Sequence, residues 1–277
     1  GDHFLIENFI IRHYTGNGVT VSKANDVAFR NLTCIDTGLY GVYPVECRGV
    51  LIEYCTVTRI SDAGIYVGQS RDIVVRNNEA FKNVAGNEIE NSVNALVENN
   101  TSHNNAAGIL VFVLPNNPSK VGERCRVVNN RVFDNNGPNF GKEGTIVASL
   151  PSGVGMLVMA ADHTEITQNV VTGNNTCGLA VIGLGSSPGV AARQEKQSAR
   201  AIDVEPNSDY TLVHNNMFAD NGKAVDTRFA ASFPGVPGSD IIWDGSGSGN
   251  EFRDTNISSF PPQLPSASGT EVAAAQP

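Results

Sequence analysis

A glycine followed by a short apolar segment recurs at a nearly constant interval along this chain of 277 residues. The segments GVTVSKANDV, GVYPVECRGV, GIYVGQSRDI, GNEIENSVNA and GILVFVLPNN begin at residues 18, 41, 64, 86 and 108, so the intervals are 23, 23, 22 and 22 residues. GMLVMAADHT at 155 and GLAVIGLGSS at 178 are again 23 residues apart. Repeats of this length are typical of solenoids, in which each unit stacks on the one before it.

Each repeat contains two segments in which inward apolar and outward side chains alternate, which is the pattern of a β-strand. The second segment follows about 9–11 residues after the glycine, as in VLIEYCTV at 50 and IVVRNNEA at 73. Because identical units cannot alternate in direction as hairpin strands do, the strands of successive units should run parallel.

Asparagines form two further columns at fixed positions of the repeat. The first column contains Asn78, Asn100, Asn130, Asn169 and Asn216, and the second contains Asn83, Asn105, Asn135, Asn174 and Asn221. Asparagine suits tight turns, and stacked asparagines can hydrogen-bond their counterparts in the next coil. The sequence therefore predicts an all-β fold, a right-handed parallel β-helix of about seven to nine coils with 22–23 residues in each regular coil.

The repeat also predicts the domain organisation. Residues 1–258 should form the β-helix, with insertions near 113–125, 137–154 and 185–209, where the interval is broken. Residues 259–277 are rich in proline, serine and alanine, and we expect them to be a tail with little core to bury.

Composition argues against several classes of partner. The 19 basic and 28 acidic residues give a net charge of −9, which disfavours a nucleic acid. The longest apolar run, GILVFVLP at 108–115, is too short to span a membrane. The five cysteines are odd in number and lack CxxC spacing, so we expect buried thiols rather than a zinc site or a disulfide framework.

The segments GIYVGQS, NVAGNEIENS and GILVFVLPN, with the asparagine-rich second strands, resemble the bacterial right-handed parallel β-helix repeat proteins. These share their fold with pectate lyases, mannuronan C5-epimerases and periplasmic NosD-like proteins. The resemblance covers roughly residues 1–185. It implies an exported protein, periplasmic or extracellular, whose first coils lie upstream of this sequence. The Asp-Pro-His signature of the alginate epimerases is absent, which disfavours that activity.

Strand alternation predicts which side chains point away from the β-helix on the first strand of each repeat. Two residues after the glycine, the outward column reads Thr20, Tyr43, Tyr66, Glu88, Leu110 and Leu157. Four residues after the glycine, it reads Ser22, Val45, Gly68, Glu90, Phe112 and Met159. Tyr66 should therefore lie beside Glu88, whereas Asn87 should point inward at a position that other repeats fill with apolar residues.

The acidic part of this face is the candidate site. Glu88 and Glu90, with Tyr66 and Arg71, are candidate catalytic residues for acid–base chemistry on a sugar. Tyr43, Tyr66, Gln69, Glu88 and Glu90 are candidate ligand-binding residues, since tyrosines beside acids suit sugar rings. The alternative is that the glutamates are only the soluble side of a strand. No cofactor or transition metal is predicted, and calcium remains open as a ligand of the two carboxylates.

The outward positions Leu110, Phe112, Leu157 and Met159 are too apolar to face water. We expect one or more of the insertions to fold back over them and to wall a groove whose polar end holds Tyr43, Tyr66 and the glutamates. The alternative is that they form an interface between copies of the chain.

Three interpretations of the function follow. In the first, the protein binds a polysaccharide or oligosaccharide along this face and modifies it as a lyase, an epimerase or a hydrolase. In the second, it is a non-catalytic structural or surface protein, and a metal-associated NosD-like protein is a third interpretation.

Overall fold

The computed structural model describes residues 1–187, 189–190, 202–254 and 257–266. The chain winds into a β-helix of three parallel sheets. The first sheet contains β1 (Phe4–Glu7), β4 (Asn25–Arg30), β7 (Arg48–Glu53), β10 (Arg71–Arg76), β13 (Val93–Glu98), β16 (Glu123–Val128), β19 (Glu165–Thr167), β22 (Leu212–His214) and β25 (Glu251–Phe252). The second contains β2 (Ile10–Arg12), β5 (Thr33–Ile35), β8 (Thr56–Thr58), β11 (Glu79–Phe81), β14 (Thr101–His103), β17 (Arg131–Phe133), β20 (Val170–Thr172) and β23 (Met217–Ala219).

The third sheet is formed by the segments that follow the repeated glycines. It contains β3 (Val19–Ser22), β6 (Val42–Val45), β9 (Ala63–Gly68), β12 (Ala85–Glu90), β15 (Ala107–Phe112), β18 (Val154–Met159), β21 (Cys177–Ile182), β24 (Ser239–Trp243) and β26 (Ser259–Phe260). A short helix, α1 (Thr227–Ser232), and two 3-10 turns, Val147–Ser149 and Leu184–Ser186, lie in the connections. No helix in the described part of the chain has the length and apolar character needed to cross a membrane.

The predicted all-β parallel β-helix is confirmed, with one difference in the coil. Each coil has three strands rather than two, because the second apolar segment of the repeat divides at the first asparagine column. In the segment VLIEYCTV, for example, β7 ends at Glu53 and β8 begins at Thr56. Tyr54, between them, has a φ of 57°, and this left-handed residue turns the chain from the first sheet to the second.

The asparagine columns flank the short strands of the second sheet and form hydrogen-bonded ladders. In the first ladder, Asn100 Nδ2 donates to Asn130 Oδ1 at 3.0 Å, and Asn130 Nδ2 donates to Asn169 Oδ1 at 3.0 Å. In the second, Asn105 Nδ2 donates to Asn135 Oδ1 at 2.9 Å. The ladders connect buried turns of successive coils, as the repeat predicted.

The repeated glycines have a steric origin. A Cβ atom added to Gly108 would lie 2.4 Å from the carbonyl oxygen of Gly155 in the next coil, and one added to Gly155 would lie 2.4 Å from the carbonyl oxygen of Gly178. The coils therefore stack too closely at this position for any side chain.

Burial distinguishes the third sheet from the first. In β10, Ile73 and Val75 face the core while their neighbours are exposed or half-buried. In β9, β12, β15, β18 and β21, every residue is buried. The outer face of the third sheet is therefore covered. The covering residues that the structure describes come from the long connections after β15 (113–122), β17 (134–153), β21 and β23, the last of which contains α1. Part of the connection after β21, together with residues 267–277 of the predicted tail, lies outside the described residues.

The core contains one polar side chain in an apolar row. Asn87 pairs with Ile65 on one side and Ile109 on the other, is fully buried, and the strand has no bulge. Its Nδ2 and Oδ1 atoms have no hydrogen-bond partner. Burying an unpaired amide costs free energy. Asn87 faces inward as the repeat predicts, without the local hydrogen bonds that usually compensate such burial.

We expect Asn87→Val to raise the free energy of unfolding by about 1–3 kcal/mol, because it removes the unpaired amide and supplies the apolar side chain that other coils have. Urea unfolding followed by circular dichroism measures the change. The matched control is Ile109→Asn in the adjacent coil, which should lower stability. A loss of stability in Asn87→Val would contradict the prediction and point to a buried partner for the amide.

Candidate functional site

The outer face of the third sheet has the predicted neighbours. Glu88 pairs with Tyr66 on one side and Leu110 on the other, and Glu90 pairs with Gly68 and Phe112. The predicted adjacency of Tyr66 and Glu88 is therefore confirmed. The outward residues change from tyrosine to glutamate to large apolar side chains as the coils advance along the axis.

A cavity of about 600 Å³ lies over this face. Its lining includes Tyr43, Tyr66, Glu88, Glu90, Leu110, Phe112, Leu157, Met159, Ala180 and Ile182 from the strands. Its walls include residues 114–117 and 149–151 from the connections, with Arg228, Phe229 and Phe233 at and beside α1. The prediction that insertions fold back over the apolar outward residues is confirmed, so the chain itself shields these residues from water.

Three tyrosines form one wall of the polar end. The ring of Tyr40 lies 4.5 Å from that of Tyr43 and 4.6 Å from that of Tyr66, measured between centroids. Gly68 makes room for this group, because a Cβ there would lie 2.1 Å from the Tyr66 hydroxyl. Gln69 Nε2 donates to that hydroxyl at 3.1 Å. Burial raises the pKa of Tyr66, so its phenol stays neutral and can donate a hydrogen bond.

Three carboxyl groups, Asp62, Glu88 and Glu90, are buried beside the tyrosines, and we call them the acid cluster. Burial and the charge of Glu90 together raise the pKa of Asp62 to about 7, although a hydrogen bond from Tyr40 opposes the rise. Burial raises the pKa of Glu88 well above its usual value, and repulsion by Asp62 and Glu90 adds to this effect. Burial and mutual repulsion therefore favour the protonated forms of Asp62 and Glu88 in this cluster.

A covering segment contributes directly to the acid cluster. Asn117, in the connection after β15, donates a hydrogen bond from Nδ2 to the Glu90 carboxylate. The same amide group donates to Asn91 Oδ1 at 3.0 Å. The connection is also tied to Asn91, whose Oδ1 accepts from Leu114 N at 2.9 Å. Glu90 is thus oriented by a residue that is far from it in sequence but held firmly over the sheet.

The structure brings together most of the predicted site residues. Tyr43, Tyr66, Gln69, Glu88 and Glu90 all line the cavity. Arg71 does not: it begins β10 in the first sheet, and its side chain is exposed. The chain turns at Gln69, which has a φ of 48°. Arg71 lies beyond this turn, so the alternation of side chains along β9 does not predict the direction of its side chain.

Sequence reasoning missed Asp62, Tyr40 and Asn117. Asp62 directly precedes β9, and Tyr40 lies two residues before β6, so neither falls in the alternating part of the repeat. Asp62 and Tyr40 each lie just before a repeated glycine, and this position could have identified them in the sequence. Asn117 lies in an insertion, where no repeat position could identify it.

Metal binding has less support than acid–base chemistry. Over the described ranges, no group of three or more His, Cys, Asp or Glu side chains is arranged to hold a metal ion. Calcium binding by Glu88 and Glu90 stays a prediction. All five cysteines are free and buried, and burial raises the pKa of the Cys125 and Cys177 thiols to about 12.

The raised pKa of Asp62 predicts a loss of stability with increasing pH. Between about pH 4 and pH 7 the folded protein keeps a proton that the unfolded chain, with an ordinary pKa of 3.8, has lost, so stability falls as the pH rises through this range. Each unit of pKa difference corresponds to about 1.4 kcal/mol. We expect Asp62→Asn to raise the thermal midpoint by about 5 °C at pH 8 and to change it little at pH 4.

Thermal scans from acidic to alkaline pH check this expectation. The matched control is Asp72→Asn, which removes an exposed carboxylate whose pKa is lowered by Asn94 and Arg48. That variant should keep the pH dependence of the unchanged protein. A pH dependence that is the same in Asp62→Asn as in the unchanged protein would contradict the assignment of the proton to Asp62.

Fold and site together define a parallel β-helix protein with a cavity over one sheet, and one end of this cavity contains three buried carboxyl groups. The family model for right-handed β-helix regions matches residues 1–194. The chain belongs to this right-handed β-helix family, which confirms the predicted resemblance. No curated protein matches the sequence.

Solved structures show the same fold. DFA-IIIase from Arthrobacter chlorophenolicus A6 in complex with GF2 is 12% identical with a TM-score of 0.51, and the alignment covers 89% of this chain and 53% of that one. A double mutant of the periplasmic alginate epimerase AlgG is 16% identical with a TM-score of 0.51, covering 85% of this chain and 47% of that one. This chain thus spans about half the length of these structures. At these identities the similarity concerns the fold alone.

Proposed function

We propose that the cavity is the active site of a carbohydrate-acting enzyme that hydrolyses glycosidic bonds in an uncharged saccharide. The observation that carries the proposal is the acid cluster, in which Asp62, Glu88 and Glu90 are buried together at one end of a cavity of ligand size. Glycoside hydrolysis needs one carboxyl group that gives a proton and one carboxylate that acts as base or nucleophile. Buried, strongly perturbed carboxyl groups in a cavity are typical of such chemistry.

The environments of the acids support separate roles. Glu88 is the general acid, because burial and repulsion by Asp62 and Glu90 raise its pKa and favour its protonated form. Glu90 is the base or nucleophile, and the Asn117 amide orients its carboxylate. The two residues are separated by one position on a strand, so their α-carbons lie about 6.6–6.8 Å apart. Asp62, with a pKa of about 7, can accept or return a proton during the cycle.

The charge of the site favours an uncharged sugar over a uronate. Lyases and epimerases of uronates must neutralise the substrate carboxylate, and a uronate beside the acid cluster would be repelled instead. Among the described residues that line the cavity, Arg228 is the only basic one, and it is on α1 rather than on the strands that carry the acids. Hydrolysis of a neutral glycoside needs no such cation.

The tyrosines support saccharide binding. Tyr43 is half-buried and lines the cavity, so part of its ring can contact a sugar, while Tyr40 and Tyr66 pack behind it. Structures with this fold include DFA-IIIase in complex with GF2 and a periplasmic alginate epimerase. This similarity supports a saccharide substrate and an exported, periplasmic or extracellular location.

A comparison of products tests the proposal. The protein is incubated with neutral oligosaccharides, including glucans and fructans, and separately with polyuronates. We expect new reducing ends from a neutral saccharide and no unsaturated ends from the polyuronates, since only elimination produces the unsaturated chromophore. Unsaturated products would overturn the proposed reaction, and the absence of turnover and binding on every saccharide would favour the structural function.

A further inference from the structure

The cavity is divided into a polar end and an apolar end along the axis of the β-helix. The polar end has the acid cluster, Gln69 and the tyrosines. The apolar end has a floor of outward strand residues, Leu110, Phe112, Leu157, Met159, Ala180 and Ile182, which we call the apolar floor. The opposite walls contribute Ile146, Leu150, Phe229 and Phe233.

The two ends belong to one space rather than to two sites. Tyr43 is on β6 and Ile182 is on β21, and five inter-strand steps separate these strands in the third sheet. At about 4.8 Å per step, the lining extends about 24 Å along the axis. A ligand with its reacting bond at the acid cluster can therefore extend over the apolar floor.

From this division we infer that the substrate is an amphiphilic glycoside, a sugar joined to an apolar aglycone. The inference rests on the proposed function, because the sugar is assigned to the acid cluster. The aglycone lies on the apolar floor, where the leaving group would be released after Glu88 protonates the glycosidic oxygen. In hydrolysis, water supplies a hydroxyl group to the sugar carbon and a proton to the aglycone oxygen, so no further reactant is needed.

A long free oligosaccharide fits this division poorly. Sugar hydroxyls placed directly on the apolar floor would lose hydrogen bonds to water, because the strand side chains there offer no partner and the polar lining residues, such as Ser149, Ser186 and Arg228, belong to the connections. An alkyl or aryl group loses nothing polar there and gains the free energy of burial. The residues of the apolar floor are buried beneath other segments of the chain. They nevertheless line the cavity, so space for a ligand remains above them.

Binding of n-alkyl glycosides tests the inference. Isothermal titration with methyl, butyl, hexyl and octyl β-D-glucopyranosides and β-D-galactopyranosides, each below its micelle concentration, should show affinity rising about fourfold per added methylene until the floor is filled. Butanol and hexanol, which lack the sugar, should bind much more weakly than the matching glycosides. Equal affinity for the methyl and octyl compounds, or no binding of either series, would overturn the inference.

Two variants test whether the alkyl chain of the glycoside lies on the apolar floor. Ala180→Phe fills the apolar floor and should abolish the gain in affinity between the methyl and octyl glycosides. Met159→Gln keeps the side-chain length and should reduce the gain per methylene. If neither variant alters the chain-length dependence, the aglycone does not lie on this floor and the inference fails. A different result would contradict the proposed function itself: hydrolysis of a neutral glycoside that is unchanged in Glu88→Gln.

Discussion

Glu88→Gln and Glu90→Gln are each expected to lower kcat for a neutral glycoside by roughly 10²–10⁴-fold, because each removes one member of the proposed acid and base pair. Glutamine keeps the shape of both side chains but can neither supply the proton nor act as the base. The measurement is the rate of reducing-end formation at saturating substrate. KM should change much less than kcat, since the carboxyl groups act mainly in the transition state.

Folding must be separated from chemistry in this test. The matched control is Glu98→Gln, which changes a half-buried glutamate of the first sheet, outside the cavity lining. It should keep full activity. The thermal midpoint of the Glu88 variant should be unchanged or raised at neutral pH, because a neutral amide replaces a carboxyl group whose charged form is disfavoured by burial. Full activity in both cavity variants would contradict the assignment of these roles.

The repeat made the centre of the site predictable. A regular coil brings residues 22 positions apart into lateral contact, so the sequence alone places Tyr66 beside Glu88. Strand alternation also identified the apolar floor, since Leu110 and Phe112 follow the glutamates in the same outward columns. These inferences succeed because parallel register leaves each side chain only two directions.

The remaining parts of the site do not obey that rule. Asp62 and Tyr40 lie in turns, where backbone angles rather than alternation set the side-chain direction. Arg71 failed to join the site for the same reason, because the left-handed turn at Gln69 moves it onto another sheet. Asn117 depends on the path of an insertion, and long-range contacts of an irregular segment have no periodic signal.

The site and the ladders have opposite effects on stability. Asp62 and Glu88 are buried next to other acids, which raises their pKa values and costs stability at neutral pH. The asparagine ladders run beside the second sheet, away from the cavity, and satisfy buried backbone groups in one coil after another. The acid cluster and the ladders lie in different parts of the β-helix. The ladders therefore stabilise the fold while the acid cluster destabilises it locally.

Asn100→Ala is expected to lower the free energy of unfolding by about 3–5 kcal/mol, because Asn100 is a central member of the first ladder and is almost completely buried. Its Oδ1 accepts from the backbone N–H of Asn78 at 3.0 Å, and its Nδ2 donates to the Val75 carbonyl at 2.9 Å. Alanine leaves both buried groups without these bonds. Urea unfolding should show an earlier midpoint, whereas the adjacent control Thr101→Ala, half-buried, should change it little. A loss below about 1 kcal/mol in Asn100→Ala would mean that backbone pairing, not the ladder, holds the coils in register.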